Sequence, residues 1–388
     1  MSAWLSAEGY TRSAGLEVWR GFMPRLSSYG TQRNFVDRDH TTVSTLSPWM
    51  NKGLLAESEL AHDALAQHPF SQVEKFLQEV YWRRYWRGYL SHRPKIWHDY
   101  QSRVVTLKSE HQVDLELIAR GECSVEIMGY FARQLVETGY LHNHARMWFA
   151  AWWIHVEHLP WELGADFFLQ HLIDGDPAVN TLSWRWVAGL HTQGKHYLAR
   201  RSNLEKYIDP ALLTEFAGGL ELLENPEAQA VEYVVEPLEL VREARPPSDY
   251  QGKGHLVVFP DDLDIERDVV QLAHQGVEVN QITVLENSSA PHTGQTRRWN
   301  QQALAAKVNE LRQTGIKVET TTNLASEGGV IVREPEVGYY TKQYEALMSH
   351  NPSIVPYQDT QIRLLNSYAK AGFFTYWKKT KKHLNVHA

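Results

Sequence analysis

One stretch constrains this chain more than any other: residues 139 to 186, GYLHNHARMWFAAWWIHVEHLPWELGADFFLQHLIDGDPAVNTLSWRW. From Ala145 to Leu159 almost every residue is apolar or aromatic, and Trp148, Trp152 and Trp153 fall at helical spacings. A helix with so little polar surface predicts burial. Pro160 marks its end. Downstream, Asp174-Gly175-Asp176 sets two carboxylates two residues apart across a glycine, a turn in which both can face one partner. Acids among so many aromatics need donors, although a helix cap with a solvated Asp accounts for the spacing equally well.

A chain of 388 residues exceeds what one core usually holds, so two domains are expected. Twelve of the 14 tryptophans precede position 190, a shift in composition that supports a boundary. Residues 218 to 253 combine acids with Pro and Gly and predict a linker. Beyond it, HLVVFP (255–260), VNQITVLE (279–286), IKVETTT (316–322) and GGVIVRE (328–334) read as strands separated by helical patterns such as RRWNQQALAAKVNELRQT. That alternation implies a parallel α/β sheet. The expected architecture is an all-helical domain over 1–217, a linker over 218–253 and a smaller Rossmann-like α/β domain over 254–388. The tail YWKKTKKHLNVHA is a basic run that either touches DNA or is a solvated end. No G-x-G-x-x-G follows the first strand, so no nicotinamide dinucleotide is expected there.

The formal charge of −7 argues against a protein that coats nucleic acid everywhere, yet leaves room for a local basic face. A single cysteine, Cys123, excludes a disulfide framework and a four-thiolate cluster, and fits a reducing compartment. With no signal-like start and no run of eighteen apolar residues, a soluble cytoplasmic protein, monomeric and away from membranes, is expected. His155 and His158 lie one turn apart, but H-E-x-x-H is absent and no third ligand is evident, so no metal is expected. Between 71 and 100 an apolar stripe is flanked by Arg83, Arg84 and Arg87, either a solvated basic face or a surface for phosphates. The hydroxyl-rich loop before Pro48 suits a pyrophosphate, or a cap.

The order G-Y-x-H-N-x-x-R-M, W-x-x-G and D-G-D-x-x-x-N-x-x-x-W-x-W closely resembles the flavin-binding core of the DNA photolyase and cryptochrome family, carried here by His142, Asn143, Arg146, Met147, Trp161, Gly164, Asp174, Asp176, Asn180, Trp184 and Trp186. The resemblance covers about residues 15 to 207. Tyr29 and Val43-Ser44-Thr45-Leu46-Ser47 fall where that family grips the cofactor's phosphates with Thr-Ser-Arg-Leu-Ser, so the arginine is missing here. Glu79, Trp82, Arg83 and Arg87 take the places of its E-x-x-W-R-x-x-x-R. Phe259-Pro260-Asp261-Asp262-Leu263 resembles the start of the family's α/β domain, Phe-Arg-Arg-Asp-Leu, but in the family that domain comes first.

The resemblance implies a helical domain holding bent FAD, with Tyr29, Ser44, Thr45, Leu46, Ser47, Arg83, His142, Asn143, Arg146, Asp174, Asp176 and Asn180 around it, Asn180 opposite the ring nitrogen N5. It further implies Glu79, Trp82, Asn143, Met147 and Trp186 as the dimer-handling set, with Met147 pointing to cyclobutane rather than 6-4 lesions. Trp184 and Trp161 match two members of the electron-transfer chain; the distal one is absent from its usual place, leaving Trp97, Trp152 or Trp153. Arg87, Arg146, Lys195, Arg200 and Arg201 are the DNA contacts it suggests. The expected activity is light-dependent repair of cyclobutane pyrimidine dimers in single- or double-stranded UV-damaged DNA by excited, reduced FAD. The alternative is a cryptochrome-like blue-light photoreceptor without repair. The antenna chromophore stays unassigned.

Overall fold

The computed structural model describes residues 3–192, 195–229, 236–239, 252–286, 290–324 and 329–384. Residues 230–235 and 240–251 of the expected linker lie outside the described residues, as do 385–388 of the basic tail. Among the described residues no helix is long and apolar enough to cross a membrane.

The N-terminal part is helical, as its patterning predicts. Two short helices, Leu26–Gln32 (α1) and Ser47–Asn51 (α2), bracket the hydroxyl-rich loop. The 22-residue helix Phe70–Ser91 (α3) buries Val73, Phe76, Leu77, Val80, Tyr81, Tyr85, Trp86 and Leu90. It also buries Arg83, Arg84 and Arg87, so the expected basic surface stripe is corrected. A helix enclosed on several sides cannot present a solvated cationic face, and each buried guanidinium requires partners.

The tryptophan-rich stretch forms Asn143–His155 (α4), Trp161–His171 (α5) and Pro177–Val187 (α6). Burial of α4 is tolerated because every indole N–H donates: Trp148 to Asn203 Oδ1 at 2.9 Å, Trp152 to Ser124 Oγ at 3.1 Å, Trp153 to the Pro160 carbonyl at 2.9 Å. Gly164 lets α5 lie close on α6, since a Cβ there would run into the Trp184 ring.

The sheet comprises β1 (Gly252–Val258), β2 (Val277–Leu285), β3 (Lys317–Thr321), β4 (Val330–Arg333) and β5 (Val355–Tyr357), all parallel, in the order β3-β2-β1-β4-β5. Ile265–His274 (α7) and Gly294–Arg312 (α8) make the first two crossovers. Four strands match the expected runs. The fifth carries Pro356, which disguises a strand in sequence and is admissible at the sheet's edge, where one N–H needs no ladder partner.

Strand order reverses between β1 and β4, and the carboxyl ends of these strands face the helical part. There Leu263 N–H donates to the Lys52 carbonyl at 2.7 Å, Thr293 N–H to the Gln170 carbonyl at 3.0 Å, and Arg84 pairs with Glu336.

The expected extent of the α/β domain, 254–388, also needs correction. Thr360–Ser367 (α9) and Phe373–Thr380 (α10) turn back onto α3, and Leu365, Ala369, Phe373, Tyr376 and Trp377 join the helical core. Gly88 makes room: a Cβ there would stand 2.8 Å from Ala369 Cβ and 2.9 Å from Asn366 Cα. Gly88→Val is therefore expected to destabilise the protein by about 2 kcal/mol through overpacking. The readout is the urea midpoint followed by tryptophan fluorescence, and a midpoint equal to that of the parent would show that this crossing bears no packing load.

Candidate functional site

The acidic turn is a helix cap, but its two acids are buried and face different arginines. Asp176 caps α6, its Oδ1 accepting from the N–H groups of Ala178 at 2.9 Å and Val179 at 2.8 Å, with Pro177 as the first helical residue. Its Oδ2 accepts from Arg87 Nε at 2.6 Å and lies 3.9 Å from Arg83 Nη1. Burial alone would raise this carboxyl, but Arg87 and Arg83 outweigh it and hold Asp176 below its ordinary value. Asn51, the last residue of α2, completes the cluster: its Oδ1 accepts from Arg83 at 3.2 Å and its carbonyl from Arg87 at 3.2 Å. Asp174 takes Arg146 through both oxygens, at 3.0 and 2.9 Å, while Arg146 Nε donates to the Leu141 carbonyl at 2.7 Å.

The hydroxyl-rich loop folds around Asp37, whose Oδ1 accepts from the N–H groups of Asp39 at 2.9 Å and Thr41 at 3.1 Å. Thr42 Oγ1 lies 3.5 Å from His142 Nε2, which brings the loop to the start of α4. Thr45 sits at φ 55°, a left-handed conformation that β-branched residues rarely adopt, flanked by Ser44 and the buried Leu46, with Ser47 opening α2. Burial pushes His142 down to about 3 and His40 to about 4, so both imidazoles are neutral here. Tyr29 meets the Phe76 ring edge-on at 5.4 Å, pinning α1 to α3.

Glu79 and Trp82 lie one turn apart on α3, both half-buried. Glu79 pairs with Lys75 at 2.8 Å and Arg33 at 3.3 Å. The Trp82 ring stacks on Phe373 of α10, centroids 3.8 Å apart and planes 9° from parallel. Asn143 is exposed at the head of α4, Met147 is half-buried one turn on, and the half-buried Trp186 packs against Tyr197 at 5.5 Å. Asn180 donates through Nδ2 to the Ala165 carbonyl at 2.8 Å. Trp184 is buried, edge-on to Trp153 at 6.0 Å. Trp161 stacks on Tyr100 at 5.8 Å, and Tyr100 contacts Trp97 at 5.2 Å, so of the three candidates for the distal position Trp97 is the one joined to Trp161 by rings.

The expected DNA-contact set divides. Lys195 and Arg200 are exposed, whereas Arg201 is paired with Glu205 at 2.8 Å and Glu224 at 2.9 Å. Arg87 is buried against Asp176, and half-buried Arg146 is held by Asp174, so neither is an unpaired cation at the rim. His155 Nε2 faces the Val187 carbonyl at 3.3 Å, its Nδ1 accepts from the Gln229 N–H at 3.1 Å, and the described residues hold no group of three or more potential metal ligands. Sequence reasoning missed Asn51, which has no local signature, and Phe373, whose only signal was a pair of phenylalanines ahead of the basic tail.

This charge set suits an anionic group. Buried Arg83 and Arg87 share one carboxylate, which leaves a guanidinium undercompensated, and buried His40 Nδ1 has no hydrogen-bond partner among the described residues. Such donors fit the pyrophosphate and polar edge of a flavin dinucleotide.

Residues 76–211 match the family described as the FAD binding domain of DNA photolyase. A deoxyribodipyrimidine photo-lyase of Streptomyces griseus is 32% identical over 179 residues, 43% of this chain and 39% of the relative. One from Agrobacterium fabrum is 27% identical over 231 residues, 56% of this chain and 46% of the relative. Cryptochrome DASH of Ostreococcus tauri is 27% identical over 230 residues, 57% of this chain and 40% of the relative. The chain thus spans less than half the length of these relatives. The crystal structure of a Synechocystis cryptochrome aligns with a TM-score of 0.48 at 21% identity, over 55% of this chain and 48% of that one.

Proposed function

We propose that the chain is a deoxyribodipyrimidine photo-lyase that splits cyclobutane pyrimidine dimers in UV-damaged DNA under blue light. The observation that carries this reading is the course of α3. Glu79 and Trp82 reach solvent, and the adjoining Arg83 and Arg87 hold Asp176 in the interior, so one helix links a surface that can receive a base to the cofactor site. Bound FAD supplies light-driven one-electron chemistry.

The residues around it bind and orient. Arg83 is the cation for the cofactor's anionic part, helped by the hydroxyls of Ser44, Thr45 and Ser47. Asn180, with Nδ2 committed to Ala165, keeps its Oδ1 to accept from the ring edge. Trp82, backed by Phe373, offers a rigid apolar wall to an extruded pyrimidine pair, Met147 and Trp186 add apolar contact, and Asn143 adds an amide. Glu79 is held by Lys75 and Arg33 where its carboxylate can accept from a pyrimidine N–H. Trp161 and Trp184 carry electrons inward, and Lys195 and Arg200 neutralise phosphates.

A specific observation favours a second reading, a photoreceptor without repair. A Glu79 already paired with two cations through one oxygen is a weaker acceptor for a base. Splitting of a dimer-containing oligothymidine, followed as recovered thymine absorbance under blue light, separates the two. Repair predicts recovery in light alone, reduced about fivefold or more in Trp82→Ala, because base stacking is worth about 1–3 kcal/mol. A protein that takes up light normally and restores no thymine absorbance is the photoreceptor.

A further inference from the structure

We propose that the exposed face of α10 is a nucleic-acid contact in its own right, a stacking ring and a row of cations that seat a single strand running out from Trp82. What that strand carries rests on the repair reading; the contact does not.

The helix is anchored from below and bare above. Phe373, Tyr376 and Trp377 are buried, and Trp377 Nε1 donates to Glu74 at 3.0 Å, which fixes α10 against α3. Phe374 points the other way and is 74% exposed, the most exposed aromatic side chain among the described residues. Lys378 follows one turn later on the same face, and the exposed Lys382 lies just beyond the helix end, in the 3-10 turn Lys381–His383. Both lysines are exposed, and neither is in an ion pair among the described residues. Of their neighbours, Lys379 lies over the Tyr368 ring at 5.4 Å, and Lys381 lies 3.7 Å from Glu74.

This face continues the wall at Trp82. Phe373 is stacked on Trp82 and meets Phe374 edge-on at 5.7 Å, so the three rings are consecutive neighbours. On a chain of net charge −7, a cationic row beside an exposed ring calls for an anionic partner with flat apolar faces. A single strand has both, whereas a duplex hides its base faces in the stack. A protein partner would want Phe374 set among apolar residues; here the other exposed residues of its helix are Thr375, Lys378 and Lys379.

The test is fluorescence anisotropy of a labelled, undamaged oligothymidylate against the full chain in the dark, across a salt titration. Lys378→Gln with Lys382→Gln is expected to weaken binding and to flatten the slope of log K against log salt by roughly 1.4, two phosphates at about 0.7 each. Phe374→Ala is expected to weaken binding roughly tenfold and leave the slope unchanged. These side chains are solvent-exposed, so all variants should melt with the parent. Parental affinity and slope in all variants, no binding by the parent itself, or a duplex bound as tightly as the strand would each overturn the proposal. Dimer splitting measured in parallel keeps the two readings apart: a parent that binds the strand through these residues but never splits a dimer retains this surface and loses the repair activity.

Discussion

Asp176→Ala is expected to cost about 4 kcal/mol of stability, because it leaves Arg83 and Arg87 buried without their shared counterion and strips the cap from α6. Asp176→Asn separates the two losses. The amide still accepts at the helix start but carries no charge, so it should lose about 3 kcal/mol. Unfolding in urea followed by tryptophan fluorescence reads both. Because the carboxyl of Asp176 is depressed below its ordinary 3.8, its contribution is complete above that value and is lost as pH falls further. The parent should thus lose stability on strong acidification more steeply than Asp176→Asn. The same variants should retain less flavin per chain on purification, since the freed guanidinium groups no longer hold their geometry. A parent-like midpoint in Asp176→Asn would show that the carboxylate is not the ion that balances these arginines.

Arg333→Met is expected to cost about 3 kcal/mol in the sheet. Arg333 ends β4 and is buried; it donates to Asp268 at 2.6 Å and to the carbonyl of Phe259 at 3.2 Å, and Asp268 is 0% exposed. Burial already raises Asp268 to about 6 even with its partner present. An acid raised on folding destabilises as pH climbs through its folded value, so the penalty of Arg333→Met should be larger at pH 8 than at pH 5, where Asp268 can take up a proton. Adding Asp268→Leu should restore most of the loss, since an apolar pair replaces an orphaned charge. Equal penalties at the two pH values would mean that Asp268 is not the group left uncompensated.

What could be read beforehand was local. Trp148, Trp152 and Trp153 announced a buried helix by their spacing, Asp176-Pro177 announced a helix start, and runs of β-branched residues announced four strands. The partners could not be read. A lone arginine in sequence looks solvated unless an acid lies a turn away, and Arg87 meets Asp176 across 89 residues, Arg84 meets Glu336 across 252. Motif order offered Arg87 and Arg146 as DNA contacts, whereas the fold pairs them with Asp176 and Asp174, because only packing decides which way a cation faces. Phe373 escaped for the same reason: its role is a ring contact with a residue 291 positions earlier in the numbering, Trp82.

The return of α10 to the helical core sets an order of assembly during synthesis. Tyr81, Trp82 and Tyr85 on α3 are complete early, yet their partners Phe373, Tyr376 and Trp377 are translated only after the whole sheet. A growing chain on the ribosome must therefore hold an unfinished aromatic face while the sheet folds behind it, the circumstance in which nascent proteins recruit chaperones. The sheet is in effect an insertion into the helical unit, and that unit closes only when α10 leaves the exit tunnel.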